Sequence, residues 1–245
     1  VSDTEIEINA TTIDINGAIA MDGAITGATN ITLSGELDAA TLDISGNADI
    51  DGTMEADAYT LGGASFIKVE GTNFTDSLLV GHTTTGTLSA AQYNTGVGID
   101  CMDAITSGDY NTFLGFQAGT ATTDGGRNTG IGAYSIQTGT GATYNTAIGY
   151  QSLMAVTNGG NHNTAIGADA GDSVTTGDYN ILVGRDAGQN LVDGSGNIII
   201  GTADTAATDS ARTLKINGYD GSTNTLWISG DSSGNLTMPA EIAAV

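Results

Sequence analysis

The side chains able to do covalent or metal chemistry are few in this chain and poorly spaced for it. There are two histidines, His82 and His162, and one cysteine, Cys101. No Cys-x-x-Cys or His-Glu-x-x-His arrangement occurs, so zinc has no ligand set. No Gly-Lys-Ser/Thr sequence closes a phosphate loop, Gly96 and Gly98 have no alternating strand and helix around them, and no serine lies on a nucleophile elbow. Paired carboxylates for glycan cleavage could be drawn from the 28 acidic residues, but a solvated charged face is their ordinary use. No catalytic residue is assigned, and the chain reads as a non-enzyme. Calcium is the one cofactor with clustered oxygens to receive it, at Asp49, Asp51 and Asp57 and along Asp193 to Asn197, although neither set has the spacing of a calcium hand.

What remains is recognition chemistry. Aromatic or cationic side chains recur one residue before an asparagine, at Tyr93, Tyr110, Arg127, Tyr144, His162 and Tyr179. Stacked one above another they form either a ladder that stiffens the protein or a ribbon of sugar-binding platforms. Tyr93, Tyr110, Tyr144, His162 and Tyr179 are therefore receptor-binding candidates, together with Tyr219 and Trp227 near the C-terminus. For Trp227 a place in the core of the terminal segment is the favoured expectation, with a tip contact as the alternative.

The element that positions these residues is a repeat. Gly81, Gly98, Gly115, Gly132, Gly149, Gly167, Gly184 and Gly201 are 17 residues apart except for one gap of 18. Each follows an aliphatic residue, in order Val80, Val97, Leu114, Ile131, Ile148, Ile166, Val183 and Ile200. Three residues before each aliphatic stands Asn94, Asn111, Asn128, Asn145, Asn163, Asn180 or Asn197, with Ser77 opening the series. A period of 17 is too short for two packed helices and their turns. It suits one solenoid coil per repeat, expected as two short strands joined by two turns. Eight coils at ordinary strand separation would stack to about 40 Å. The aliphatic residues are expected to form an internal column. The asparagines are expected to bond their own backbone in turns and to tolerate left-handed conformation, and the glycines to supply a turn or a close backbone approach. The added residue between Gly149 and Gly167 falls at Thr157 to His162, where a turn can absorb it; such loops are also where solenoids meet partners. Cys101 occupies a column shared with Ala118, Ser135, Ser152, Ala170 and Ala187, which predicts a small buried thiol.

Three segments follow. Residues 1 to 75 read as short alternating strands ending at glycines, too poor in bulky side chains for a monomeric core, and predict a thin shaft of chains wound about a shared axis. Residues 76 to 204 are the 17-residue array. Residues 205 to 245 read as two hairpins, Thr213 to Asn217 with Thr225 to Ser229, then a turn at Gly230 to Asn235 and Leu236 to Met238, which could cap the open edge of the last coil. The fold class is all-β.

Composition limits partners. Five basic residues against 28 acidic ones give a formal charge of -23, which repels phosphate backbones and anionic lipid headgroups, so neither nucleic-acid binding nor membrane insertion is expected. Residues 1 to 75 hold 13 acidic groups and one basic group, about half the net charge. An acidic, glycine-rich chain could be disordered, but aliphatic residues recurring at fixed positions and a single proline, Pro239, argue for regular pairing. The first residue is Val1, from which processing or excision from something longer is expected. With 39% hydrophobic and 5% aromatic residues, a lone subunit would struggle to exclude water.

The repeat Asn-Thr-Ala-Ile-Gly, at 145–149 and 163–167 with variants at 94, 111 and 128, resembles the head repeats of trimeric autotransporter adhesins and of phage tail fibres that share them. The resemblance implies a left-handed parallel β-roll whose three copies pack side by side. The strands around Thr12 to Gly17 and Leu42 to Gly46 are similar to shafts of marine phage tail fibres, and Leu226 to Met238 resembles strands that often precede a cleaved C-terminal chaperone. Adhesin heads use a shorter repeat and continue into a coiled-coil stalk and membrane anchor, which this sequence does not show, so the phage reading is favoured. It implies a homotrimeric virion tail fibre, extracellular, bound to other tail proteins and to a host-surface glycan or protein. A bacterial surface adhesin is the alternative, and a tailspike-like glycan hydrolase the second.

Overall fold

The computed structural model describes residues 59–238 apart from 62, 63, 72 and 82–84, with side chains from residue 73 onward. They fall in the compact unit Glu55–Val245. The expected shaft lies almost wholly outside the described residues, as do His82 and the calcium candidates Asp49, Asp51 and Asp57.

Among the described residues all regular structure is β, and 14 strands make one sheet. β1 (Tyr59–Leu61), β2 (Ala64–Gly71) and β3 (Phe74–Val80) pair antiparallel in sequence order. β3 is also the first rung of a parallel stack, pairing with β4 (Ala91–Gln92) at one end and β5 (Thr95–Val97) at the other. The stack continues through β6 (Thr112–Leu114), β7 (Thr129–Ile131), β8 (Thr146–Ile148), β9 (Thr164–Ile166), β10 (Ile181–Val183) and β11 (Ile198–Ile200). Equivalent residues pair at every step, Thr129 with Thr146 and Ile131 with Ile148 for example. The result is a parallel β-solenoid of about eight turns. Each of the coils built on β6 to β11 contributes one three-residue strand, not the two expected. Left-handed residues bend the rest of the coil sharply, as at Tyr144, Gln151 and Leu153 with φ of 59°, 55° and 48°. Rung-to-rung backbone bonds run through these turns too, for instance from the Ile136 N–H to the Ser152 carbonyl at 3.1 Å.

Which side chains face inward follows from period-two alternation starting at a buried asparagine. Asn145 is in, Thr146 faces out, Ala147 is in and Ile148 faces out. The interior column is therefore Leu79, Gly96, Phe113, Gly130, Ala147, Ala165, Leu182 and Ile199, all buried. Across the coil it meets Met102, Gly119, Ile136, Leu153, Gly171 and Gly188, and the two columns share volume. Phe113 is flanked by glycines: a Cβ at Gly130 would lie 2.5 Å from its Cδ1, and one at Gly119 2.6 Å from its Cε2. Interiors at crystal-like density require this compensation.

The expected internal column of aliphatic residues is thereby corrected. Leu114, Ile131, Ile148, Ile166 and Ile200 are 47%, 36%, 37%, 39% and 39% exposed, and Val80, Val97 and Val183 are half-buried. They form an outer ribbon because the third residue of a three-residue strand shares its face with the first. The glycine that follows is required by close approach: at Gly149, with φ of 138°, a Cβ would lie 2.3 Å from the Gly167 carbonyl oxygen. The added residue is taken up at the turn of Asn158 and Gly159, and the coil is back in register at Gly160, whose carbonyl receives the Asn145 amide at 2.8 Å.

Beyond the array, β12 (Leu214–Tyr219) pairs parallel with β11 and antiparallel with β13 (Asn224–Gly230), which pairs antiparallel with β14 (Leu236–Thr237). The expected hairpins form, but as a single layer with little on either face. Trp227 is accordingly not a core residue: it is 49% exposed, beside Leu226, Leu236 and Met238 at 42%, 68% and 50%.

Candidate functional site

The asparagine column is a structural spine. Each Oδ1 accepts from the backbone N–H and the side-chain amide of the next asparagine, and each amide also donates to a carbonyl across its coil. Asn128 Oδ1 takes the Asn145 N–H at 3.0 Å, and Asn128 Nδ2 donates to the Ala142 carbonyl at 2.8 Å. Ser77 Oγ begins the chain of bonds by accepting from the Asn94 N–H, and Thr213 ends it by donating to Asn197 Oδ1. The asparagines thus bond between coils rather than within turns. The left-handed conformation expected of them belongs to the residue before, with φ between 55° and 59° from Tyr93 to Tyr179.

That left-handed residue throws its side chain outward, and the side chains stack. Tyr93 and Tyr110 lie 4.7 Å apart, the Arg127 guanidinium sits 5.1 Å from the Tyr110 ring and 5.3 Å from the Tyr144 ring, and His162 lies 4.8 Å from Tyr144 and 4.7 Å from Tyr179. Six consecutive coils thereby contribute to one column. The ring faces are spent on one another, so the ladder reading holds along its interior, while the edges remain exposed. A second set one corner away, Phe116, Tyr134 and Tyr150, makes edge contacts at 5.4 and 5.8 Å.

Tyr219 and Trp227 come together at the end of the β12–β13 hairpin. With Gly218, Asp220, Thr223 and Thr225 they line an open groove of about 260 Å³. The indole packs over Gly218, where a Cβ would meet its Cζ2 at 2.2 Å. The Asp220 carboxylate fixes the tip by accepting from the N–H groups of Thr223 at 2.7 Å and Ser222 at 2.9 Å, and these bonds hold its carboxyl below the usual range. The groove offers an aromatic face beside hydroxyls and a carboxylate, a chemistry suited to sugar rings.

The outer ribbon is the largest feature. The threonines of β5 to β9 and Ile181 and Ile198 share its face, the last two 42% and 38% exposed. One side of the array is thus a strip of aliphatic and threonine side chains that the other described residues leave partly exposed.

Ionisable groups add little chemistry. Cys101 is buried, its Sγ near the Phe113 carbonyl, and burial pushes its thiol up to about 12. Asp172 is raised by partial burial, opposed by the Ser173 hydroxyl and reinforced by Asp169 and Asp186. Asn197 is committed to the spine and Ser195 Oγ to the Asp178 N–H, so the stretch from Asp193 does not close on a cation. No three carboxylate, thiol or imidazole groups converge among the described residues. No protein-family model, curated protein or solved structure matches the chain.

Proposed function

We propose that this chain is the subunit of a non-enzymatic, homotrimeric virion fibre, a phage tail fibre, that attaches to a bacterial surface by repeated weak contacts. The observation that carries the reading is the outer ribbon. A repeat that places an aliphatic residue at the same outward position in eight successive coils, exposed at Leu114, Ile131, Ile148, Ile166 and Ile200 and half-buried at Val80, Val97 and Val183, builds a regular strip, and a regular strip is best covered by its own copy. Covering what is still exposed of each Leu or Ile contributes roughly 0.5–1.4 kcal/mol. Summed over the strip, that is of the same order as the roughly 4–15 kcal/mol that association costs. Three parallel rods closing in a ring bury such strips without leaving an open filament. The single-layer terminal segment, with Leu226, Leu236 and Met238 exposed, is completed by the same assembly. Threefold symmetry then presents three copies of the Tyr219–Trp227 groove, and linkage multiplies their weak affinity for a surface glycan or protein. Sedimentation of the purified chain tests the assembly: a trimer is expected, and a monomer at micromolar concentration would remove its basis. Pull-down on host cells, with host polysaccharide monitored for shortening, separates attachment from cleavage.

A further inference from the structure

The stacked column has one missing rung. Above Tyr179 the equivalent position is Gly196, and the column resumes at Arg212, whose N–H bonds to the Ser195 carbonyl at 2.8 Å. Two rung spacings, about 9.6 Å, separate the coils of Tyr179 and Arg212, which leaves room for one flat ring at the interval found in the rest of the column. Exposure records the opening: Tyr179 is 63% exposed, against 45% for Tyr93, which also ends the stack. Arg212 closes the far side. Its Cγ would lie 3.3 Å from a Cβ at Gly196, and its guanidinium makes no ion pair or hydrogen bond among the described residues. The Asp178 carboxylate reaches away from the gap, its Oδ1 accepting the Asn161 N–H at 2.7 Å in the coil of His162, and Ser195 Oγ accepts the Asp178 N–H at 2.9 Å between the coils of Tyr179 and Gly196.

We propose that the gap at Gly196 is a binding slot for a single sugar-acid ring, its C–H face on Tyr179 and its carboxylate on Arg212. An aromatic face selects a flat apolar ring face, and the free guanidinium selects a carboxylate. The assignment deepens the attachment reading and rests on it for its purpose. Binding itself is a property of one chain.

The test uses the full chain with glucuronate, glucose and acetate as probes, read by ligand-detected magnetic resonance and by shifts of the tyrosine ring signals. Glucuronate is expected to contact Tyr179 at millimolar concentration and to bind about tenfold better than glucose or acetate, the worth of one charge-assisted hydrogen bond. Gly196→Tyr fills the slot. Its backbone, at φ of 72°, is near that of the column's other members, but a Cβ there would press on Arg212 Cγ at 3.3 Å, so the variant should melt slightly below the parent and lose glucuronate. Arg212→Gln should reduce glucuronate to the level of glucose. Glucuronate binding that survives Gly196→Tyr, equal binding of acetate, or no contact with Tyr179 would each overturn the slot. Ile148→Asp, designed to separate the chains, should keep it, so a failure of trimerisation and a failure of the slot are read independently.

Discussion

Replacing Asn128 by aspartate changes two atoms' chemistry and almost no volume, and the spine predicts a loss that depends on pH. In the native ladder Asn128 Nδ2 donates to Asn111 Oδ1 at 3.1 Å and to the Ala142 carbonyl at 2.8 Å, while its Oδ1 accepts from Asn145. Aspartate keeps the acceptor but turns both donor contacts into oxygen against oxygen, at a residue with no exposed surface. A protonated carboxyl can donate to only one of the two, so one buried donor contact is lost, at about 1–3 kcal/mol, although Asn111 Oδ1 still accepts the backbone N–H of residue 128. Ionised, it can donate to neither, and the group holds its proton instead. Its folded pKa is then raised above the unfolded value of about 3.9. A group raised in the folded state contributes stability that is present below the unfolded pKa and lost as pH rises toward the folded one. If the carboxyl stays protonated at neutral pH, that adds up to about 4 kcal/mol by pH 7, at about 1.4 kcal/mol per unit. The assay is denaturant unfolding of Asn128→Asp, Asn128→Ala and the parent near pH 3 and at pH 7, comparing differences from the parent at each pH. Asn128→Ala should lose stability equally at both. An aspartate variant whose deficit does not grow between the two values would show that Asn128 is not held between two acceptors.

Ala147→Asp and Ile148→Asp, adjacent changes that each introduce one carboxylate, should part company: the first buries a charge and prevents the array from folding, while the second, at a residue 37% exposed, costs a single chain about 1–2 kcal/mol and abolishes association, as seen by sedimentation. Equal melting losses for the two would refute the assignment of faces. Asp172→Asn should raise the melting temperature slightly at pH 7 and not near pH 3, because the raised carboxyl favours the fold only below its unfolded pKa; the gain should shrink with added salt. A gain confined to acid pH would reverse the sign and refute the argument. Cys101 should resist thiol reagents at pH 8 in the native protein and react fully in denaturant, since burial keeps the thiolate scarce; rapid native labelling would mean that the coil opens there.

The repeat's length and strand content were legible from residue types alone, because a 17-residue period with glycine and asparagine at fixed offsets leaves room for little but a coil. The direction of the side chains was not. Uniform aliphatic residues such as Ile131, Ile148 and Ile166 read as a core, yet the true interior runs Gly130, Ala147, Ala165, Leu182. It varies because Ile136, Leu153, Gly171 and Gly188 opposite share the same space. Volume is shared with neighbouring coils as well as across one: at the small pair Ala165 and Gly171 a Cβ on Gly171 would meet Leu182 Cδ1 at 2.5 Å and Leu153 Cδ2 at 3.1 Å, so neither column looks regular alone. The asparagine ladder had a usable signal: a turn tolerates Asp, Ser or Gly in place of Asn, whereas a ladder whose members both donate and accept needs the amide at every rung. Ser77 and Thr213 depart from it only where the chain of bonds starts and stops. Trp227 was misplaced because hydrophobic bulk was equated with burial, although three short antiparallel strands in one layer supply no second layer to bury it.

In a stacked array the residues that repeat without change are those that meet something else that repeats. Asn145 meets Asn128 and Asn163, and Gly149 meets Gly132 and Gly167; for both, the partner is the neighbouring coil. Ile148 lies outside the coil, and side-by-side contact with Ile131 and Ile166 covers only part of it, since a third or more of each remains exposed. Two strand positions earlier on the same face a polar exchange does occur, where Thr164 gives way to Ile181. The column keeps aliphatic character from Val80 to Ile200 while exchanging Val, Leu and Ile, and it is this character that the proposed assembly would use. The stacked aromatic column permits the opposite inference: it changes residue at nearly every rung, from tyrosine to arginine to histidine, as befits side chains constrained only to be flat or cationic. Gly196 is the rung at which that constraint is dropped.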